Sequence, residues 1–155
     1  MTKILLDGDG SPVVFLTIAI AKQFGLPVIL ACDTAHVFRE EQFDFDLVTI
    51  LTVGQGADAV DFALLNRLAS GDLCITQDYG LAALVLAKGG EALHPRGFFY
   101  TEQNIDGLLA QRYLNRSIRQ AGGKMRGPKK RDAAADQTFQ SALSHWCQRV
   151  VDKEE

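Results

Sequence analysis

The chain has 155 residues, 47% of them hydrophobic, and a formal net charge of −3. That is enough for one domain with a real core, and with a mean hydropathy of +0.02 it excludes a disordered or membrane-embedded polymer. Charge is uneven: residues 1–106 carry 6 basic and 14 acidic residues, 107–131 carry 8 basic and none acidic, and 132–155 carry 2 and 5, so an acidic body beside a basic stretch points to a polyanionic partner.

KILLD (3–7) reads as a first strand, and Ser11 and Pro12 as the N-cap and N1 of a helix over 12–24 that ends at Gly25. Within it PVVFLTIAIA (12–21) is the longest apolar run. It is about half a membrane span and lacks the basic flank of a signal peptide, so the expectation is a cytoplasmic protein with no membrane partner. PVILAC (27–32) and LVTILTV (47–53) are the next strands, followed by GQGAD and a helix of about 58–69. DLCITQ (72–77) is a fourth strand, a helix runs over about 79–88 to Gly89 and Gly90, and EALH (91–94) is a fifth strand. Two helices follow, over 105–120 and 133–150, separated by AGGKMRGPKKRD. Cys32, Cys74 and Cys147 have no metal-ligand spacing and are expected to be buried thiols.

Short apolar strands alternating with helices specify a three-layer α/β/α sandwich with a mainly parallel sheet of four or five strands. In such sheets ligands sit beyond the carboxyl ends of the strands. Asp7 and Asp9 follow the first strand, Asp33 the second, Asp58 and Asp61 the third, and Asp78 the fourth. Parallel strands therefore crowd these carboxylates at one edge, where like charges need protons or a cation. Mg²⁺ or Mn²⁺ is the natural neutraliser. Helix capping is an equal reading for any one of these aspartates. It is a weaker one for the set, because Asp7 precedes any helix and Asp9 precedes a start that has its own cap. Asp33 reads as a turn residue.

DGDGSP, GADAVD, CITQDYGLA, ALHPRG and the GPK of MRGPKKRD occur in that order along the chain, and together they resemble the YaiI/YqxD family of bacterial proteins. The resemblance implies a branch of the PIN/NYN-type nuclease folds with a metal-dependent ribonuclease-like site. Its carried-over positions are Asp7, Asp9, Asp58, Asp61 and Asp78. Where relatives read D-A-D-A-C-P this chain reads D-G-D-G-S-P, so Ser11 replaces a cysteine and a thiol there is not essential to shared chemistry. The GPK segment also runs on as KKRD.

LLDGDGS resembles the haloacid dehalogenase phosphatases as well, in which the first aspartate, here Asp7, is the nucleophile. That family needs a lysine ahead of a strand ending in paired acids. Here Asp78 alone follows CITQ, and Lys88 comes after it.

Arg112, Arg116 and Arg119 share one helix face, and Lys124, Arg126, Lys129, Lys130 and Arg131 follow on a Gly- and Pro-broken loop suited to a phosphate backbone. Ser11 and Arg96 are further nucleic-acid candidates, Tyr79, Tyr100 and Tyr113 are candidates to stack a base, and His94 reads as a hydrogen-bonded turn histidine. With what the resemblance implies, the expectation is a single PIN-like domain acting as a Mg²⁺- or Mn²⁺-dependent nuclease on RNA, with a non-catalytic RNA-binding accessory protein as the alternative. It leaves the oligomeric state open.

Overall fold

Five apolar runs become the strands of one sheet: β1 (Ile4–Asp7), β2 (Val28–Asp33), β3 (Val48–Val53), β4 (Leu73–Ile75) and β5 (Glu91–Leu93). All neighbours are parallel, in the order β3-β2-β1-β4-β5. The computed structural model describes residues 1–9, 11–34, 38–56, 58–123 and 131–154. Among the described residues α1 (Val14–Phe24), α2 (Ala59–Arg67) and α3 (Tyr79–Ala87) join strands, and α4 (Glu102–Gln120) and α5 (Ala133–Glu154) follow β5. Among the described residues no helix is long and apolar enough to cross a membrane.

Alternation along the strands divides the core in two. Ile4, Leu6, Val28, Leu30, Leu73, Ile75 and Leu93 face α1 and α5, where Ile18, Phe139, Leu143 and Trp146 meet them. Leu5, Ala31, Cys74 and Ala92 face the opposite layer, supplied by Val60 and Leu64 of α2, Leu81 and Val85 of α3 and Ile105 of α4. The second face carries the smaller strand residues. The three-layer α/β sandwich expected from the sequence is therefore the observed fold, and all three cysteines are free and buried as expected.

Several boundaries moved, each for a local reason. Ser11 and Pro12 do not open α1. The N-cap is Val13 with no side-chain cap, because Val13 is itself fully buried and the chain turns there to place it in the core. The Ser11 hydroxyl instead accepts from the Val13 N–H at 3.3 Å, and Gly25 ends the helix in the left-handed region at φ 69°. Helix α4 begins at Glu102 because Thr101 and Asn104 form a reciprocal cap: Thr101 Oγ1 accepts the Asn104 N–H at 3.1 Å and Asn104 Oδ1 the Thr101 N–H at 2.9 Å. Strand β4 is shorter than 72–77: the Thr76 N–H still donates to the Leu93 carbonyl at 3.1 Å, and its hydroxyl bonds at the sheet edge. Asp72 precedes the strand and is buried at the opposite edge. There it accepts from the Lys3 ammonium at 2.6 Å and from the Lys3 and Ala69 N–H groups.

Candidate functional site

The chain builds outward from β1 through β2 to β3, then crosses back to place β4 on the other side of β1. Beyond the carboxyl ends of β1 and β4 the connections diverge, which opens a crevice at that reversal. A cavity of about 470 Å³ lies there, walled by Asp7, Asp9, Gln77, Asp78, Tyr79 and Arg112.

Glycine at position 8 is what lets the chain leave β1 so tightly. A Cβ there would lie 2.8 Å from Leu30 Cδ1 and 2.9 Å from the Ala31 carbonyl oxygen, and the Gly8 N–H donates to that same oxygen at 2.8 Å. The turn hands its next residue, Asp9, back toward β2, where Asp9 Oδ1 accepts from the Asp33 N–H at 3.1 Å. Asp33 is accordingly the last residue of β2 and part of the edge, not a turn residue.

Thr76, which the sequence reading passed over, ties the two central carboxylates together. It is 1% exposed; its hydroxyl donates to Asp7 Oδ2 at 2.9 Å and accepts from the Asp78 N–H at 2.9 Å. The available signal was the T-x-D spacing of ITQD, a hydroxyl two residues before an aspartate at a strand end. Asp78 in turn caps α3, accepting from the Gly80 and Leu81 N–H groups at 2.8 and 3.2 Å.

Capping and clustering are thus not alternatives here: Asp78 does both. Burial holds the Asp7 carboxyl above its ordinary range. The neighbouring charges of Asp9 and Asp78 add to this, against the hydrogen bonds from Thr76 and the Asp9 amide. Asp61, in the first turn of α2, is raised further, to about 7, by burial and then by the charges of Asp78, Asp7 and Asp58. In its protonated form it hydrogen-bonds Asp78. Asp58 is the exposed N-cap of α2, in the left-handed region at φ 65°, with no cap bond of its own. Three carboxylates (Asp7, Asp9 and Asp78) therefore wall the crevice, and Asp61 lies near enough to feel the charges of Asp78, Asp7 and Asp58. Among the described residues no three of the His, Cys, Asp and Glu side chains stand as a ready metal-ligand set.

The basic residues divide. Arg112 Nη1 lies 3.4 Å from Asp78 Oδ1, with Arg112 exposed and Asp78 half-buried, a long ion pair of small net worth that a phosphate can displace. Arg112 and Tyr79 are shared with a second cavity of about 480 Å³ that continues along α4 past Asn115, Arg116 and Arg119. Arg119 thus lies in a groove that opens from the acidic crevice. Arg131 does not. Its Nε donates to Asp136 Oδ1 at 2.7 Å and its Nη1 to the Pro95 carbonyl at 2.8 Å. It clamps the start of α5 to the turn after β5, so its guanidinium is engaged within the fold. Lys124, Arg126, Lys129 and Lys130 lie outside the described residues.

Arg96 is half-buried on that same turn and walls neither cavity. There His94 Nδ1 accepts from the Arg96 N–H at 3.0 Å and the ring stacks on Phe98 at 4.5 Å. Burial and then the charges of Arg96 and Arg131 push His94 down to about 4. Gly97 (φ 96°) leaves no room for a side chain against the Thr138 backbone. Tyr100 cannot stack a base: it is 3% exposed and its hydroxyl donates to the Thr76 carbonyl at 3.0 Å. Tyr79 is half-buried at the crevice and Tyr113 is exposed. Lys88, the cation a dehalogenase-like phosphatase would need, ends α3 at the opposite edge and donates to the Leu65 carbonyl.

The proton on Asp61 has a measurable consequence. Its folded value lies above the ordinary 3.8, so its contribution to stability is complete below about pH 4 and lost as pH rises through about 7. Asp61→Asn removes the charge at every pH. The variant is expected to melt higher than the wild type by a margin that grows between about pH 4 and 7. Paired thermal unfolding across that range checks this, and a margin independent of pH would show that Asp61 ionises normally.

The profile of the family described as "Uncharacterized BCR, YaiI/YqxD family" matches residues 5–149. A UPF0178 protein of Exiguobacterium sibiricum is 50% identical over 142 residues, covering 92% of this chain and 94% of its own. One of Enterococcus faecalis is 44% identical over 149 residues, 96% and 99% of the two chains. Among solved structures, the crystal structure of Rae1 (YacP) from Bacillus subtilis aligns over 99% of this chain and 94% of that one, at 17% identity and a TM-score of 0.43. Profile and relatives agree over nearly the whole length: the chain belongs to the YaiI/YqxD family.

Proposed function

We propose that the protein is a divalent-metal-dependent phosphodiesterase that cleaves RNA in the crevice between β1 and β4. The observation that carries this reading is the convergence of Asp7, Asp9 and Asp78 on the crevice at the strand-order reversal, with Asp61 close enough that burial and then the charges of Asp78 and Asp7 push its carboxyl up to about 7. A neutral or capping role does not call for such crowding. A divalent cation resolves it.

Asp7, Asp9, Asp61 and Asp78 would hold Mg²⁺ or Mn²⁺, with Asp58 near Asp61. The donor set fits: both ions take carboxylates and leave positions for water and phosphate, so three converged protein ligands are not required. The bound ion would supply positive charge at the scissile phosphate and lower the pKa of the attacking water. The chain's own groups do the rest. Thr76 fixes the orientation of the Asp7 carboxylate, and Arg112 exchanges a weak ion pair for a phosphate. Arg116 and Arg119 extend the positive track along α4.

The absence of a ready three-ligand set among the described residues favours a second reading, an RNA-binding accessory protein without turnover. Incubating single-stranded RNA with the protein and Mn²⁺, and in parallel with chelator, separates the two. Cleavage in the presence of metal alone supports the phosphodiesterase, binding without cleavage supports the accessory protein, and neither sinks both. The salt dependence of binding carries a further expectation. Three arginines neutralising three phosphates give a loss of about 2 log units of affinity per tenfold rise in salt, and Arg116→Ala should flatten that slope by about 0.7. A slope unchanged in the variant would make Arg116 a solvated surface residue.

A further inference from the structure

The groove along α4 is more than a strip of positive charge. Its wall combines the Tyr79 ring at the crevice mouth with Leu108, Gln111, Asn115, Arg116 and Arg119. These α4 residues fall on one face of the helix, at spacings of three and four. Gln111 Nε2 donates to Asn115 Oδ1 at 2.9 Å. That bond uses one amide donor and one amide acceptor, leaving Gln111 Oε1 free to accept and Asn115 Nδ2 free to donate among the described residues. Tyr79 and Leu108 pack against the core beneath them but are only partly buried, so the groove offers an aromatic ring, an apolar side chain and an amide pair beside its charges. A nucleobase uses all three, with a flat face to lay on apolar and aromatic surface and an edge that offers a donor beside an acceptor.

We propose that this groove is a nucleobase subsite, holding one unstacked base of a single-stranded nucleic acid next to the phosphate in the acidic crevice. Tyr79 and Leu108 take the face of the base, the Gln111–Asn115 pair takes its edge, and Arg116 and Arg119 take the flanking phosphates. Continuity decides the placement, since Tyr79 and Arg112 belong to both cavities. The volume of about 480 Å³ suits a nucleoside. A duplex is refused, because its bases are paired and stacked and cannot present a face to Tyr79. The inference rests on the RNA-binding part of the reading above and is independent of whether the crevice turns over.

The test measures affinity with chelator present, so cleavage plays no part. Three probes are compared: an abasic ribose–phosphate oligomer, the same oligomer carrying a single adenine, and the oligomer with every base present. The single base can slide into register, so it is expected to tighten binding by about 5–150-fold, with further bases adding little. Gln111→Ala should erase most of that gain while leaving affinity for the abasic oligomer unchanged, and Tyr79→Ala should erase most of it as well. Gln111 is exposed, so its variant folds even if the loss of the Tyr79 ring disturbs α3.

A single base that adds nothing, affinity that climbs in equal steps with each base, or duplex bound as tightly as single strand would each overturn the subsite. Displacement of the single-base probe by an oligoglutamate peptide, more readily than by the abasic oligomer, would make the groove a docking site for acidic protein instead. A base-dependent protein that never cleaves with Mn²⁺ sinks the phosphodiesterase and leaves the subsite standing. Cleavage without base dependence does the reverse.

Discussion

Asp78→Asn is expected to lower Mn²⁺-dependent RNA cleavage by about 10²–10³-fold or more while leaving the fold intact and RNA bound as tightly or tighter. The two effects separate because Asp78 has two jobs. As a cap it presents one oxygen to the Gly80 and Leu81 N–H groups, and asparagine does this equally well. As a charge it sits beside Asp7 and Asp61, and asparagine supplies none. Removing it also frees Arg112 from its 3.4 Å contact and takes away one repulsive charge near the phosphate. The proton affinity of Asp61 should fall as well, since it loses the charge of its neighbour. Single-turnover cleavage beside equilibrium binding in chelator is the measurement. A variant that cleaves like the wild type would remove Asp78 from the chemistry.

Trp146→Ala should cost about 3–5 kcal/mol of folding free energy, a large share of the roughly 5–15 kcal/mol that holds a domain of this kind. Trp146 is 1% exposed within the core beneath α1 and α5, and its Nε1 donates to Glu91 Oε2 at 2.6 Å. The substitution opens a cavity and strands the Glu91 carboxylate at the start of β5. Trp146→Phe restores much of the volume without the donor and should lose about 1–3 kcal/mol. Urea unfolding of the three proteins checks the order. A loss below about 1 kcal/mol for the alanine variant would mean that α5 does not close this face of the sheet.

The chain's local text determined the elements and the layer count. Continuous apolar runs such as VILAC and LCI can be satisfied only by burial on both faces. Gly25 ends α1 because a left-handed residue there costs glycine nothing. These are short-range effects, and they also placed Asp7, Asp9 and Asp78 at strand ends, where a parallel sheet gathers them. Strand order was not legible. It puts β4 beside β1, and it follows from how the two helical layers pack, which no single segment encodes.

Everything that distinguishes one side chain from its twin nearby came from that packing. Arg112 faces Asp78 while Arg131, equally basic in sequence, is spent on Asp136 and Pro95. Tyr79 reaches the crevice while Tyr100 lies in the core with its hydroxyl on Thr76. Thr76 reads as one more β-branched residue in a strand until β1 lies alongside, and then its hydroxyl joins Asp7 to Asp78. The physical reason is range. Propensity and burial act over a few residues and leave their pattern in the sequence. A hydrogen bond across 69 positions, such as that from Thr76 to Asp7, exists only once the tertiary fold has brought its partners together.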